Sequence, residues 1–341
     1  MSEKRVSRAE VAHAAGVSES TVSRALNDSP LISAEIKERV RQCAGELGYR
    51  PSRQASNFAR RRSGSIGLVV PRYASFPPFS RAYFPTLLDG AVLRAEERGF
   101  FVTIVLDKEH TTPEQLVELV TGRSLDGYLF AVSPAEYDRY AYLRKRLVPF
   151  VLINNYHEGF SSVDANPEPG MRSAFEHAYR LGHRRVGYIT GDLRFRNGID
   201  RLNAFQLLAE EFHVDVRVEE GNFSRTNGYD ATLRLLGATD PPTLVMTASD
   251  RAAIGAVAAC RDRGILVPER VSVIGFDDLH PARDVTPRLS TVHNPVEESG
   301  SEAASLLIDL IEQERKKATQ LWLETSFVIR ESTGYAASVE R

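Results

Sequence analysis

Small polar and charged side chains crowd one short stretch near the start of the 341-residue chain: Ser18, Glu19, Ser20, Thr21, Ser23, Arg24 and Asn27. Short donors and acceptors of this kind suit hydrogen bonding to base edges in a DNA major groove, where bulky side chains would obstruct entry. A second group follows. The segment from Tyr49 to Gly64 is rich in Arg, beginning with Arg50, and carries Ala55 and Phe58 three residues apart. An apolar pair inside a basic segment suits a wedge that parts a base step in the minor groove while arginines neutralise phosphate. An ordinary exposed linker would also be Arg/Ser-rich, and on these residues alone the two readings stand level. Catalytic patterns are missing: the chain has no GxxxxGK(S/T), HExxH or GxSxG sequence. Its two cysteines, Cys43 and Cys260, lie far apart and in no metal-type cluster. No enzymatic activity, no metal and no cofactor is expected.

The elements that must carry these residues can be read locally. Ser7 and Glu10 have the spacing of a capping box, so a helix opens there with Val11, Ala12 and Ala15 on one face. Gly16 permits a left-handed turn. Ser18 caps a second helix, Glu19 to about Asn27, with Val22, Ala25 and Leu26 inward. Ser33 caps a third, with Ile36, Val40, Ala44 and Leu47 recurring and Gly48 closing it. Helix, tight glycine turn and short polar-faced helix together spell a helix-turn-helix. Charge agrees. Net charge is −2, yet residues 1–62 hold 12 Lys and Arg against 7 Asp and Glu, leaving the remainder acidic.

After Gly64 short apolar runs alternate with amphipathic segments. Strands are predicted at Ile66–Val70, Phe101–Leu106, Gly127–Ala131, Phe150–Ile153, Val186–Ile189, Val216–Val218, Thr243–Met246 and Val271–Gly275, with helices between. Such alternation means parallel sheets wrapped by helices, and its restart near Gly170 means two doubly wound halves. Ligands of such sheets sit beyond the carboxyl ends of the strands, here between the halves. No apolar run reaches the ~18 residues of a spanning helix. The charged N-terminus lacks a signal-peptide core, and a cytoplasmic location is expected.

The runs VSRAEVAHAAGVSESTVSRALN and ERVRQCAGELGYRPSRQASNFARRRSGSIGLVVP resemble the headpiece and hinge of the LacI/GalR family of bacterial transcription regulators. The likeness continues through RLGHRRVGYI, SDRAAIGA, LVPERVSVIGFDD and LSTVHNP and spans nearly the whole chain. It implies a small all-α helix-turn-helix headpiece (1–50), a hinge (51–63) and a sensor of the periplasmic-binding-protein type I fold (64–335). Its first lobe would be 64–160 plus 293–324, its second 161–292 plus 325–335. By that resemblance Glu19, Ser20 and Arg24 read bases. Thr21, Ser23 and Asn27 match backbone-contacting or turn positions, and Phe58 stands where the family usually has a minor-groove leucine. Arg201, Phe223, Ser249 and Asp277 match effector-contacting positions.

Strand ends add Tyr83, Phe84, Ser133 and Asn154 as cleft candidates, because a sugar needs fixed donors and acceptors and an aromatic face. Asp250 and Asp278 are alternatively helix caps, and Arg201 with Asp277 alternatively a structural pair. Arg194, Arg196 and Arg201 gather about one loop. Together they would suit a negatively charged effector, although solvated surface is the preferred reading of Arg194 and Arg196. The expected whole is a repressor of carbohydrate-utilisation genes, dimeric on a palindromic DNA operator, switched by a sugar and not membrane-bound. A nucleobase-responsive regulator is the alternative, and a solute-binding protein of transport a remote one. Seven residues after Gly334 leave no room for a tetramerising heptad repeat.

Overall fold

A computed structural model describes residues 6–26, 28–49, 62–72, 79, 81–108, 112–122, 124–132, 137–313 and 317–337. The chain divides into two units, Met1–Gly64 and Ser65–Arg341. Among the described residues no helix is long and apolar enough to cross a membrane.

The first unit holds α1 (Arg8–Ala15), α2 (Glu19–Leu26) and α3 (Ala34–Glu46). Its ends are set by local chemistry. The Ser7 hydroxyl accepts from the Glu10 amide and the Glu10 carboxylate accepts from the Ser7 amide, the reciprocal arrangement the spacing predicts. Gly16 turns the chain at φ +67°. Ser33 accepts from the Ile36 amide to open α3. The core is narrow, of Val11, Ala15, Val22, Ala25, Val40 and Ala44. Leu47, expected on the apolar stripe, is instead 39% exposed. The helix has already ended there, and Tyr49 packs on the core in its place. Between α2 and α3 the Asp28 carboxylate takes Lys37 at 3.0 Å and Arg41 at 3.0 Å. The Lys37 hydrogen bond and charge hold its pKa below the ordinary value. The hinge segment 51–61 falls outside the described residues.

The second unit contains two six-stranded sheets. The first comprises β1 (Ser65–Arg72), β2 (Phe101–Lys108), β3 (Gly127–Ala131), β4 (Phe150–Ile153), β5 (Ser162–Asn166) and β11 (Gln320–Glu324), ordered β11-β5-β4-β3-β1-β2 and parallel throughout. With it go α4 (Tyr83–Glu97), α5 (Pro113–Thr121), α6 (Tyr137–Lys145) and α12 (Val296–Ile311). The second comprises β6 (Arg185–Ile189), β7 (Asp215–Glu219), β8 (Leu244–Thr247), β9 (Ser272–Asp277), β10 (Ser290–His293) and β12 (Ser326–Val328), ordered β12-β10-β9-β8-β6-β7. Only β12 runs antiparallel among these described strands. Around it lie α7 (Glu168–Arg180), α8 (Arg196–Glu211), α9 (Arg225–Leu236), α10 (Asp250–Asp262) and the short α11 (Pro281–Asp284).

The first sheet therefore extends past the expected boundary at residue 160. Segment β5, with Val163 as its one large apolar residue, carries no legible strand pattern but pairs with β4 and β11. Likewise β10, through His293, belongs to the second sheet. The chain passes between sheets at Asn166–Glu168, His293–Val296 and Glu324–Ser326. Buried Thr325 fastens two of these crossings: its hydroxyl donates to the Asn166 carbonyl at 2.7 Å and accepts from the Gly170 amide at 3.0 Å.

Glycine brings α4 and α12 into backbone contact. A Cβ on Gly90 would lie 1.9 Å from the Glu297 carbonyl oxygen, and one on Gly300 2.1 Å from that of Leu87. Gly90→Ala is expected to destabilise the protein by about 1–3 kcal/mol, as overpacked cores do. Denaturant unfolding giving the wild-type midpoint would contradict this. A pH effect follows from Asp164, buried on β5 beside the first crossing. Burial raises its pKa to about 7, and the Asp200 charge on α8 adds to the rise. Because the folded protein holds this proton more tightly than the unfolded chain, the contribution is full below the ordinary 3.8 and is lost as pH rises through about 7. Asp164→Asn should therefore raise the melting temperature at alkaline pH and flatten the decline between those values. An unchanged pH profile of melting temperature would count against it.

Candidate functional site

In the first unit, Val22 and Ala25 anchor α2 on the core, which turns the opposite face outward. Ser18, Glu19, Ser20 and Arg24 are exposed, and Thr21 and Ser23 half-buried. The Ser18 hydroxyl is shared with Ser20 at 2.8 Å and Thr21 at 2.9 Å and accepts from the Thr21 amide, so Ser18 caps α2. Glu19 lies 3.4 Å from Arg8 of α1. Arg24 makes no ion pair among the described residues and extends from the last turn of α2. The result is a convex strip of short hydrogen-bonding groups with one long cation. Asn27, Arg50, Ala55 and Phe58 lie outside the described residues.

In the second unit a cavity of about 690 Å³ lies between the lobes. The first lobe contributes Arg81–Phe84 and Val132; the second contributes the loops after β6, β7, β8 and β9. These are the carboxyl ends of the strands, as doubly wound sheets require. Of the sequence-predicted residues, Tyr83, Phe84, Arg201, Phe223, Ser249 and Asp277 line it. Ser133 lies outside the described residues. Asn154 does not reach the cavity. Its amide donates to the Tyr83 hydroxyl at 2.5 Å and accepts from the Ala165 amide at 3.1 Å, and it lines a small adjoining crevice with Asp164 and Asp200. Both ends of its side chain are thus engaged within the first lobe, where it supports Tyr83.

In the sequence Asp192–Asp200 reads as a loop and Arg201 as the opening of the next helix; the structure instead begins α8 at Arg196, which puts Arg201 in its second turn. It is buried, stacks 3.7 Å over Phe276, and donates to the Ala248 carbonyl at 2.5 Å and to Asp277 at 3.1 Å. The structural pairing of Arg201 with Asp277 is thus realised, within one lobe and at the cavity wall. The same Asp277 oxygen accepts from Asn294 at the second crossing, 3.1 Å away. Phe223 has φ +61° and seats its ring over Gly191, where a Cβ would come within 2.1 Å. A half-buried aromatic held in a sparsely populated conformation thus lines the cavity, with the Arg201 guanidinium 5.8 Å from its ring centre. Ser249 caps α10 by accepting from the Ala252 amide at 3.2 Å.

Neither aspartate offered as a cap serves as one. Asp250 accepts from the Thr291 hydroxyl at 2.5 Å and the Leu279 amide at 3.0 Å, tying α10 to the loop after β9. Asp278 takes Arg330, Arg283 and His293. Burial raises the pKa of Asp250 well above the ordinary value, with the Asp277 charge adding to it. Burial also raises Asp277, against the opposing Arg201 charge. Tyr83 is pushed up by burial first and Asp277 second, so its phenol stays neutral.

Of the loop arginines, Arg194 and Arg201 line the cavity but are paired with acids, and Arg196 does not line it. Arg194 is held by Asp192 at 2.7 Å, and Arg196 stacks 4.2 Å over Tyr156 and pairs with Asp200 at 3.1 Å, away from the cavity. Three other cavity arginines were not anticipated: Arg81, Arg225 and Arg251. A signal existed for the last two, since each closely follows a serine cap at the end of a predicted strand. No group of His, Cys, Asp and Glu among the described residues is arranged to hold a metal. The geometry can bind and orient a polar molecule with one flat apolar face.

Comparison with known proteins places both units. Residues 9–52 match the family model of bacterial regulatory proteins, lacI family, and residues 175–333 that of the periplasmic binding protein-like domain. The chain is 30% identical over 330 residues to the probable HTH-type transcriptional repressor ExuR of Bacillus subtilis, covering 95% of this chain and 97% of that one. It is 32% identical over 329 residues to the HTH-type transcriptional regulator CelR of Thermobifida fusca, covering 94% and 96%. The solved structure of a CelR–cellobiose complex superposes with a TM-score of 0.74 at 30% identity over 96% of this chain and all of that one. A lac repressor dimer bound to operator and the anti-inducer ONPF shares the fold, with a TM-score of 0.76 at 24% identity over 97% and 100%. These relatives are regulators of transcription. The chain belongs to the lacI family of bacterial regulatory proteins.

Proposed function

We propose that this protein is a ligand-controlled, sequence-specific repressor of transcription that works in the cytoplasm as a dimer on a palindromic DNA operator. The observation that carries the reading is the pairing, in one chain of this family, of an outward strip on α2 with a cavity between two lobes lined by aromatic and charged side chains. Glu19, Ser20 and Arg24 discriminate bases, while Ser18, Thr21, Ser23 and Asn27 fix the register of α2 on the groove. Arg50, at the end of the headpiece, neutralises phosphate, and in the hinge, residues 51–63, Ala55 with Phe58 enters the minor groove. Tyr83, Phe84, Ser133, Arg201, Phe223, Ser249 and Asp277 surround the effector, a sugar or sugar derivative. Sugar-sized effectors are supported by the relative solved with cellobiose. Effector binding changes the angle between lobes at the three crossings, and the resulting coupling to DNA is reciprocal.

Selection of bound DNA from a random pool with the full-length protein tests this. A pseudo-palindrome should emerge, with a dimer mass by light scattering; an unenriched pool would overturn the reading. Arg24→Ala should weaken binding to the selected site by about 1–3 kcal/mol and relax one position in each half-site. A gel-shift panel showing wild-type affinity and preference would remove Arg24 from its role.

A further inference from the structure

Two arginines on the cavity wall differ from the paired charges around them. Helices α9 and α10 touch through glycine. A Cβ on Gly228 would lie 2.3 Å from the Ala252 carbonyl oxygen, and one on Gly255 2.1 Å from that of Arg225. This contact sets the first turns of the two helices side by side at the cavity, and with them Arg225 and Arg251. Neither forms an ion pair among the described residues. The Arg251 Nε is buried and has no hydrogen-bond acceptor. Burial, and then the charge of Arg225, which is itself exposed, lower the Arg251 pKa, as expected for a partly desolvated cation with a second cation close by.

The neighbouring acids do not offset them. Asp192 is taken by Arg194 and Asp277 by Arg201. Asp250 is spent on Thr291 and Leu279. The local balance is two guanidinium groups facing the cavity with no anion to receive them. A buried donor without an acceptor is costly, and a guanidinium fork matches a carboxylate or phosphate in two parallel hydrogen bonds.

We infer that the effector carries an anionic group, a carboxylate or phosphate, received by Arg225 and Arg251 while Phe223 faces the rest of the molecule. The inference rests on the reading of this cavity as the effector site. It differs from the loop cluster of Arg194, Arg196 and Arg201, whose members are already engaged.

The test uses the full-length protein at constant ionic strength, with melting temperature and calorimetry as readouts. The probes are inorganic phosphate, glucuronate, glucose phosphate and glucose. Phosphate should raise the melting temperature above that in chloride, and at least one of the two sugar acids should do so more than glucose; which of them does so separates carboxylate from phosphate. Arg225→Gln with Arg251→Gln should abolish the phosphate shift and weaken the acid by at least roughly tenfold, the weight of one charge-assisted hydrogen bond. Arg251→Lys, which keeps the charge, should retain part of the shift and so separates charge from packing. A wild-type protein indifferent to phosphate, a shift that survives the double substitution, or glucose binding as tightly as the acids would each overturn the inference. Release of selected DNA by glucose alone would overturn it while sparing the repressor reading. Failure to select DNA, with Arg-dependent phosphate binding intact, would do the reverse.

Discussion

The carboxylate of Asp277 holds the cleft together. It ends β9, and one of its oxygens accepts from both Arg201 and Asn294. Through Arg201 it positions a buried cation between the Phe276 ring and the Ala248 carbonyl. Through Asn294 it reaches the second crossing between lobes. Such an ion pair contributes little net stability, because both charges have been stripped of water, but loss of either partner alone costs about 3–5 kcal/mol. Its worth here is positional. The next residue, Asp278, takes Arg330, Arg283 and His293. Two successive carboxylates at a strand end therefore serve different masters, one the cavity wall and one the segment that follows β12.

Around that node each lobe is stiffened in the same way. Gly90 and Gly300 press α4 against α12, while Gly228 and Gly255 press α9 against α10. Where two helices meet backbone to backbone there is little side chain at the crossing to repack, and side-chain bonds such as Arg94–Ser301 and Arg98–Asp309 add to the contact, so each lobe tends to move as a body. Flexibility is left to the three short passages between the sheets, where little more than a few backbone torsions has to change.

Local signals were legible in the sequence and long-range commitments were not. Ser7 with Glu10, Gly16, Ser33 and Gly48 each act on neighbours within one turn, and the chain forms the ends those residues specify. Short apolar runs such as Gly127–Ala131 and Phe150–Ile153 became strands with the expected limits. Helix α8 starts earlier than expected because Phe195 supplies no side-chain cap to announce it. The pattern of α12 was legible in Val296, Ala303, Leu307 and Ile311, all buried, but went unassigned. For the site, residue type and strand-end position brought out Tyr83, Arg201, Phe223 and Asp277. The fate of Asn154 depends on Tyr83, distant in sequence, and the meeting of Arg225 with Arg251 depends on two glycines in different helices. No spacing rule encodes such pairings, since they arise only when the lobes are assembled.

The Thr325 hydroxyl joins the first crossing to the third, and Asn294 ties the second to Asp277. The first and third passages therefore cannot bend independently, and the second is anchored at the end of β9. Relative motion of the lobes is thereby reduced toward one coordinate, like a door on a common hinge pin. Molecules of different shape entering the cleft would then stop the lobes at different points of one path, rather than create unrelated conformations. On such a path full and partial agonists differ in degree, and an antagonist is a molecule that halts the swing on the wrong side of the threshold.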